Sequence, residues 1–338
     1  MTVITDIEFT DDTRYIYAVG RIRALERHLL SRADFARLLD AGDLGGALRA
    51  LAEMGYPVPE GASAYEPVLM AEQRAALELL EDLAEDSSLV ELFRRRYDFH
   101  NIKVLLKAER SAQDLGRAVM DLGAVDVDEI VEAIRAGEPE RLPGPLAEAI
   151  RTAGERYEES RNPGDIDAAV ERIQYAEISR MIAEMGNPFL SAWLAWEVDL
   201  INIRSFLRFR WLEEDLKAFP EILLPGGSLE WSFFRSVREE PLESVAQAFG
   251  RTPYGRVVSD GIGQLQSRRS FAHLERGCDD LMIELLRTSG RTSFGVEPLT
   301  AYVLLKEFEI RSVRAVLVGK LNGLPKKKIK ERLPGAYL

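Results

Sequence analysis

Apolar positions recur at three- and four-residue intervals along almost the whole chain, the spacing of one face of an α-helix. Tyr15, Ala18, Val19, Ile22, Leu25 and Leu29 make one such stripe, with Arg14, Arg21, Arg23, Glu26 and Arg27 mostly on the other faces. Ser31-Arg-Ala-Asp34 predicts a capping box ahead of Phe35–Leu39, because the serine oxygen and the Asp34 carboxylate can satisfy free N–H groups of the first turn. Gly42 is expected to end that helix and Asp43 to cap the next, which stops at Gly55 and Tyr56-Pro57. A long helix is expected from about Pro67 to Ala84, and another from Ser88 carrying Leu92, Phe93, Tyr97, Ile102, Leu105 and Leu106. Asn162-Pro-Gly-Asp165 reads as a turn before a helix over 166–185. Gly186-Asn-Pro188 breaks that run, and Pro225-Gly-Gly227 breaks a later one, with Ser228 as the cap that follows. Alternating β-branched runs between turn dipeptides are missing. The pattern predicts an all-α chain.

Three segments repeat one another: Tyr97-Asp-Phe-His-Asn101-Ile-Lys103, Val198-Asp-Leu-Ile-Asn202-Ile-Arg204 and Leu305-Lys-Glu-Phe-Glu309-Ile-Arg311. Each places a polar residue, an isoleucine and a cation in that order, and the polar residues lie 101 and 107 positions apart. Short helical segments at Phe35–Gly42, Ile130–Gly137 and Phe233–Glu240 echo one another at a similar interval. Periodicity of this kind predicts three pseudo-equivalent helical bundles, over residues 1–118, 119–218 and 219–338. The stripe from Tyr15 to Leu30 reads as the end of a unit without its beginning, and Pro325–Leu333 as a beginning without its end. Two such partial units complement each other, so the termini are expected to close the three bundles into a ring around a central opening.

Composition narrows the function. The net charge of −12 argues against nucleic-acid binding, which needs a basic face. That charge is unevenly spread. From Ile310 to Leu338 eight Lys/Arg residues face a single acid, Glu331, so this tail carries +7 and the preceding 309 residues carry −19. The single cysteine, Cys278, excludes an intrachain disulfide; it sits among carboxylates that disfavour its thiolate, which reads as a structural thiol. The first residues lack the basic and apolar regions of a signal peptide, so a cytoplasmic location is expected. The most apolar stretch, Phe189–Ile203, contains Glu197 and Asp199, each costing about 2.5–3.5 kcal/mol at a bilayer centre; its Phe189, Trp193 and Trp196 therefore read as a helix–helix contact, and no membrane insertion is expected. No phosphate loop, Rossmann fingerprint, His-Glu-x-x-His or Gly-x-Ser-x-Gly motif occurs, and the three histidines lack metal-ligand spacing. Adjacent acids such as Glu81-Asp82 and Asp279-Asp280 point to different sides of a helix. The sequence thus offers no catalytic, cofactor-binding or metal site.

Taken in order, these residues resemble a known family. Tyr15-x-Tyr17-Ala-Val-Gly20-Arg-Ile-Arg23-Ala-Leu-Glu26, the three repeat helices, Gly319-Lys-Leu-Asn-Gly323-Leu-Pro325 and the closing Ile329-x-x-x-Leu333 together resemble the C subunit of the V/A-type rotary ATPases, called the d subunit in eukaryotes. Glu309 departs from the asparagine of the first two repeats. The resemblance covers the whole chain. It implies a funnel of three helical bundles in the central stalk, a non-catalytic socket joining the D and F shaft subunits to the membrane proteolipid ring. On that reading the protein transmits torque between ATP chemistry and proton or sodium flow, on the cytoplasmic face of the membrane. Asn101, Lys103, Asn202, Arg204, Glu309 and Arg311 are the candidate socket residues. The alternative role for the same side chains is to brace each bundle by hydrogen bonds between its own elements. The alternative for the chain is a helical scaffold or adaptor unrelated to ion transport.

Overall fold

The computed structural model describes residues 7–9, 11–111, 118–212 and 219–338. Among the described residues there is no strand. The helices are α1 (Ile16–Leu25), α2 (Arg32–Asp40), α3 (Leu44–Glu53), α4 (Glu66–Leu83), α5 (Ser87–Ser111), α6 (Val127–Ala136), α7 (Gly144–Ser160) and α8 (Pro163–Met185). They are followed by α9 (Pro188–Leu212), α10 (Phe219–Ile222), α11 (Trp231–Val237), α12 (Leu242–Phe249), α13 (Gly255–Arg268), α14 (Ala272–Arg287), α15 (Glu297–Leu321) and α16 (Lys326–Lys330). The caps explain many of these limits. Ser31 and Asp34 form the expected capping box of α2, and the Asp43 side chain accepts from Gly46 N at the start of α3. Gly186 ends α8 in the left-handed conformation, and Pro188 opens α9 where its missing N–H costs nothing. Two expectations differ from the structure. The basic helix is short, only Lys326–Lys330. Ser228 caps no helix; its hydroxyl donates to Asp199, and the next helix starts at Trp231.

The described residues form two compact units, one of those up to Glu85 together with Ser236–Leu338, the other of Asp86–Arg235. The expected bundle limits at 118/119 and 218/219 adjoin residues 112–117 and 213–218, which lie outside the described residues. In the first unit, α15 is the central element. It is apolar on nearly every side, with Leu299, Val303, Leu304, Val313, Val316 and Leu317 all buried, as a helix surrounded by others must be. It packs on α1, α3 and α4 from the start of the chain and on α14 from its end. The unit thereby unites both ends of the sequence. Cys278 is buried in α14.

In the second unit, α5, α6, α7 and α8 share a core of Phe99, Ile102, Leu106, Ile130, Leu146 and Val170 with their neighbours. Each such large side chain removed from water contributes about 1.5–3 kcal/mol. Ala149 and Ala153 on α7 and Ala169 on α8 are small buried residues at their interface. A second cluster joins Phe206 on α9, Phe219 on α10 and Phe234 on α11, with ring centroids 5.3–5.6 Å apart. Trp193 is buried and stacks on Phe93, the helix–helix contact expected for this stretch. No helix among the described residues is long and apolar enough to cross a membrane.

Candidate functional site: three clamp helices

The three repeat segments lie at the middles of α5, α9 and α15. Asn101 and Asn202 are buried and do the same work. Asn101 Nδ2 donates to the Met120 carbonyl (2.7 Å) while Met120 N–H donates to Asn101 Oδ1 (2.9 Å). Asn202 Nδ2 donates to the Leu224 carbonyl (3.0 Å) while Leu224 N–H donates to Asn202 Oδ1 (2.9 Å). A carboxamide carries both a donor and an acceptor, so one side chain can hold both polar groups of a single backbone residue. Chain that turns inside a core needs such partners, because buried N–H and C=O groups left unpaired cost about 1–3 kcal/mol each.

The aspartate one turn earlier extends each clamp. Asp98 Oδ1 accepts from Val125 N–H (3.1 Å), and Asp199 Oδ1 accepts from Leu229 N–H (2.9 Å) and its other oxygen from Ser228. Val125 follows Met120, and Leu229 follows Leu224, by the same five positions. Within each loop the residue three places on is glycine, Gly123 or Gly227, and space requires it. A Cβ at Gly123 would fall 2.1 Å from Asp98 Oδ1, and one at Gly227 2.3 Å from Asp199 Oδ1. Two loops of unrelated side chains (Met120-Asp-Leu-Gly-Ala-Val125 and Leu224-Pro-Gly-Gly-Ser-Leu229) are thus held by one arrangement. The sequence contained the signal, Asp-x-x-Asn twice with a glycine downstream, but the aspartates and glycines carried no expectation.

The third clamp uses other chemistry for the same purpose. Glu309 is buried; its carboxylate accepts from Leu30 N–H (2.5 Å) and the Tyr56 hydroxyl (2.7 Å) and pairs with Lys306 Nζ (2.8 Å). Lys306, standing where the other repeats have aspartate, also pairs with Glu72 at 2.8 Å. The loop it serves explains the exchange. After Leu30, α2 begins within two residues, and Ser31 and Asp34 satisfy its first amides. The amide that Asp98 or Asp199 holds elsewhere therefore has no counterpart, and the position is free to supply a countercharge. Burial would depress the Lys306 ammonium, but Glu309 and Glu72 outweigh it and raise its pKa. Burial, then Glu309, push the Tyr56 phenol up as well. Asp98, with burial opposing its amide and arginine partners, is pushed up to about 6.

Each clamp holds the chain that leads into a further helix: α5 before α6, α9 before α11, and α15 before α2. The order is cyclic, since the last clamp acts on the first segment.

The cations two residues on are more accessible. Lys103 pairs with Glu171 on α8 (2.9 Å), Arg204 donates through Nε to the Leu200 carbonyl (3.2 Å), and Arg311 pairs with Asp279 on α14 (2.9 Å). Lys103 and Arg204 are half-buried and Arg311 is exposed. The structure therefore separates the six candidates into three buried clamp residues and three cations nearer solvent. His100 beside the first clamp meets the Ala118 carbonyl (2.8 Å). Among the described residues no group of three or more His, Cys, Asp or Glu is placed to hold a metal ion.

The sequence profile of the ATP synthase (C/AC39) subunit family matches residues 18–332. The C subunit of the V-type sodium ATPase of Enterococcus hirae is 26% identical over 94% of this chain and 97% of its own. The C subunit of the A-type ATP synthase of Methanocaldococcus jannaschii is 22% identical over 94% of this chain and 86% of its own. Its counterpart in the V-type ATP synthase of Thermus thermophilus is 25% identical over 96% and 98%. With all but short ends matched, the chain belongs to the ATP synthase (C/AC39) subunit family.

Proposed function

We propose that this protein is a non-catalytic part of the central stalk of a V/A-type rotary ATPase, coupling the D and F shaft subunits to the membrane proteolipid ring. The observation that carries the reading is the family match from residue 18 to 332. The chemistry of the site supports it: the polar groups buried at the clamp helices bind backbone of the same chain and stiffen it. A part that transmits torque must resist deformation, and buried hydrogen-bonded polar networks confer rigidity. On this reading the repeats at 1–118, 119–218 and 219–338 form three bundles around an opening, closed where α15 joins the chain's first helices. Asn101, Asn202 and Glu309 brace the bundles, while Lys103, Arg204 and Arg311 present charge to the shaft. The complex holds the protein at the cytoplasmic face of the membrane.

Charge reversal tests the socket. Arg204→Glu removes a half-buried cation whose hydrogen bond, to its own helix's Leu200 carbonyl, is local, so the fold is expected to survive. Co-purification of D and F with the variant should fall at least tenfold while its helical circular dichroism and melting remain those of the parent. Undiminished recovery of D and F with a folded variant contradicts a role for Arg204 in the socket. Absence of D, F and ring proteins from preparations of the unaltered protein contradicts the stalk reading itself.

A further inference from the structure

The segment after α15 has no role in the clamps, and its charge is opposite to that of the chain. Every residue from Leu321 to Lys328 is exposed, as are Lys330 and Arg332. Gly323 adopts φ +62°, turning the chain tightly between Leu321 and Leu324, two of the few large apolar side chains left open to solvent. The segment is nevertheless firmly attached. Ile329 and Leu333 are buried beneath it, and Lys320 Nζ donates to the Leu39 (2.7 Å) and Ala41 carbonyls at the end of α2. Lys326 is engaged by Asp40, and Lys328 by Glu331 at 3.3 Å. Lys327, Lys330 and Arg332 make no ion pair with a described residue, although Asp40 also feels the charge of Lys330.

We propose that residues 321–332 rest against an anionic lipid headgroup surface, with Lys327, Lys330 and Arg332 toward the phosphates and Leu321 and Leu324 in the interfacial layer. Charge complementarity identifies the partner as anionic. The leucines distinguish a lipid surface from an acidic protein: two apolar side chains at a turn, flanked by lysines, fit a deformable layer that is charged outside and apolar just beneath. Leu321, Leu324, Lys327 and Lys330 line none of the cavities around His273, Arg311 or Tyr302 in this unit, and only Arg332 borders the one beside Arg311, so the turn and its lysines offer a projection where a peptide would need a groove. The remaining acidic surface is repelled by the same headgroups, which orients the molecule with this edge toward the membrane. The inference rests on these residues alone and stands or falls separately from the stalk reading.

Flotation of the purified full-length chain with vesicles provides the test. Binding to phosphatidylglycerol-containing vesicles should exceed binding to pure phosphatidylcholine and decline as salt shortens the reach of the charges. Each basic residue at such a surface is worth about fivefold, so Lys327→Glu, Lys330→Glu and Arg332→Glu together should lower binding at least about a hundredfold. Leu321→Ser with Leu324→Ser, keeping every lysine, should lower it severalfold. Unchanged melting of both variants shows that folding is intact. Equal binding to the two lipids, or undiminished binding by the triple variant, overturns the proposal. So does a triple variant that leaves the complex while the parent ignores vesicles, since the patch then serves a protein partner.

Discussion

Asn202 on α9 and Glu309 on α15 hold equivalent stretches of chain by different means. Asn202 is neutral and completes itself, giving one donor and one acceptor to Leu224. Glu309 can only accept; it takes an amide from Leu30 and a hydroxyl from Tyr56, and it needs Lys306, which in turn is shared with Glu72. The difference follows from the segments that are joined. Asn202 secures a loop 22 residues ahead of it, whereas Glu309 reaches back 279 residues to the chain's beginning. A short connection keeps the partners of Asn202 close even when the clamp opens. The partners of Glu309 have no such tether, and the seam between the ends of the chain is fastened by a wider network that gathers side chains from three separate segments. Equivalent positions in a repeat therefore keep the task while the residues adapt to the loop they serve.

Breaking the two clamps separately should expose this contrast. Glu309→Ala strands the Leu30 amide and the Tyr56 hydroxyl and leaves Lys306 with Glu72 alone. It should cost about 3–5 kcal/mol, the usual penalty for breaking a buried ion pair from one side, measured as a lowered urea midpoint. Asn202→Ala leaves one donor and one acceptor unpaired, and about 2–4 kcal/mol is expected. Equal costs at the two sites would remove the distinction drawn between a charged seam and a neutral clamp. Gly227→Ala forces a methyl onto Asp199 and Val198 and should cost about 1–3 kcal/mol as overpacking, whereas alanine at Gly20, mid-helix and open to solvent, should stabilise by about 0.5–1 kcal/mol.

The aspartates sharpen the comparison through pH. Asp98 has a folded-state pKa of about 6, above the ordinary 3.8. A raised carboxyl favours folding when protonated, so its contribution is complete below about pH 4 and is lost as pH rises through about 6. Asp98→Asn removes that dependence. Relative to the parent, the variant should gain about 2–3 kcal/mol between pH 4 and pH 7, on top of any constant offset from placing an amide near Arg95. Urea titrations of both proteins across that range provide the check, and a difference that stays flat with pH would contradict the burial assigned to Asp98.

The sequence made much of this visible, for physical reasons that also set its limits. Helix limits depend on nearby residues, so Ser31, Asp43, Gly186 and Pro188 could be read directly. The motif centred on Asn101, Asn202 and Glu309 was visible as a repeat because the helices that carry it are regular. Its work was not visible, because the loop amides and carbonyls it holds lie 19 to 279 residues away, in loops with unrelated side chains. Ser228 shows the same limit from the other side. By local rules it is a helix cap, but its hydroxyl donates to the buried Asp199 carboxylate and the next helix begins only at Trp231. The basic helix likewise stops at Lys330, three residues short of Leu333, where its spacing had placed the end.

The most direct test of the central claim uses membranes from cells with and without the gene for this protein, in which ATP hydrolysis and ATP-driven ion uptake into vesicles are measured side by side. Without the protein, hydrolysis by the assembled head should continue while ion uptake is abolished, and adding the purified chain should restore it. Ion uptake that stays coupled to hydrolysis in its absence would contradict a coupling role.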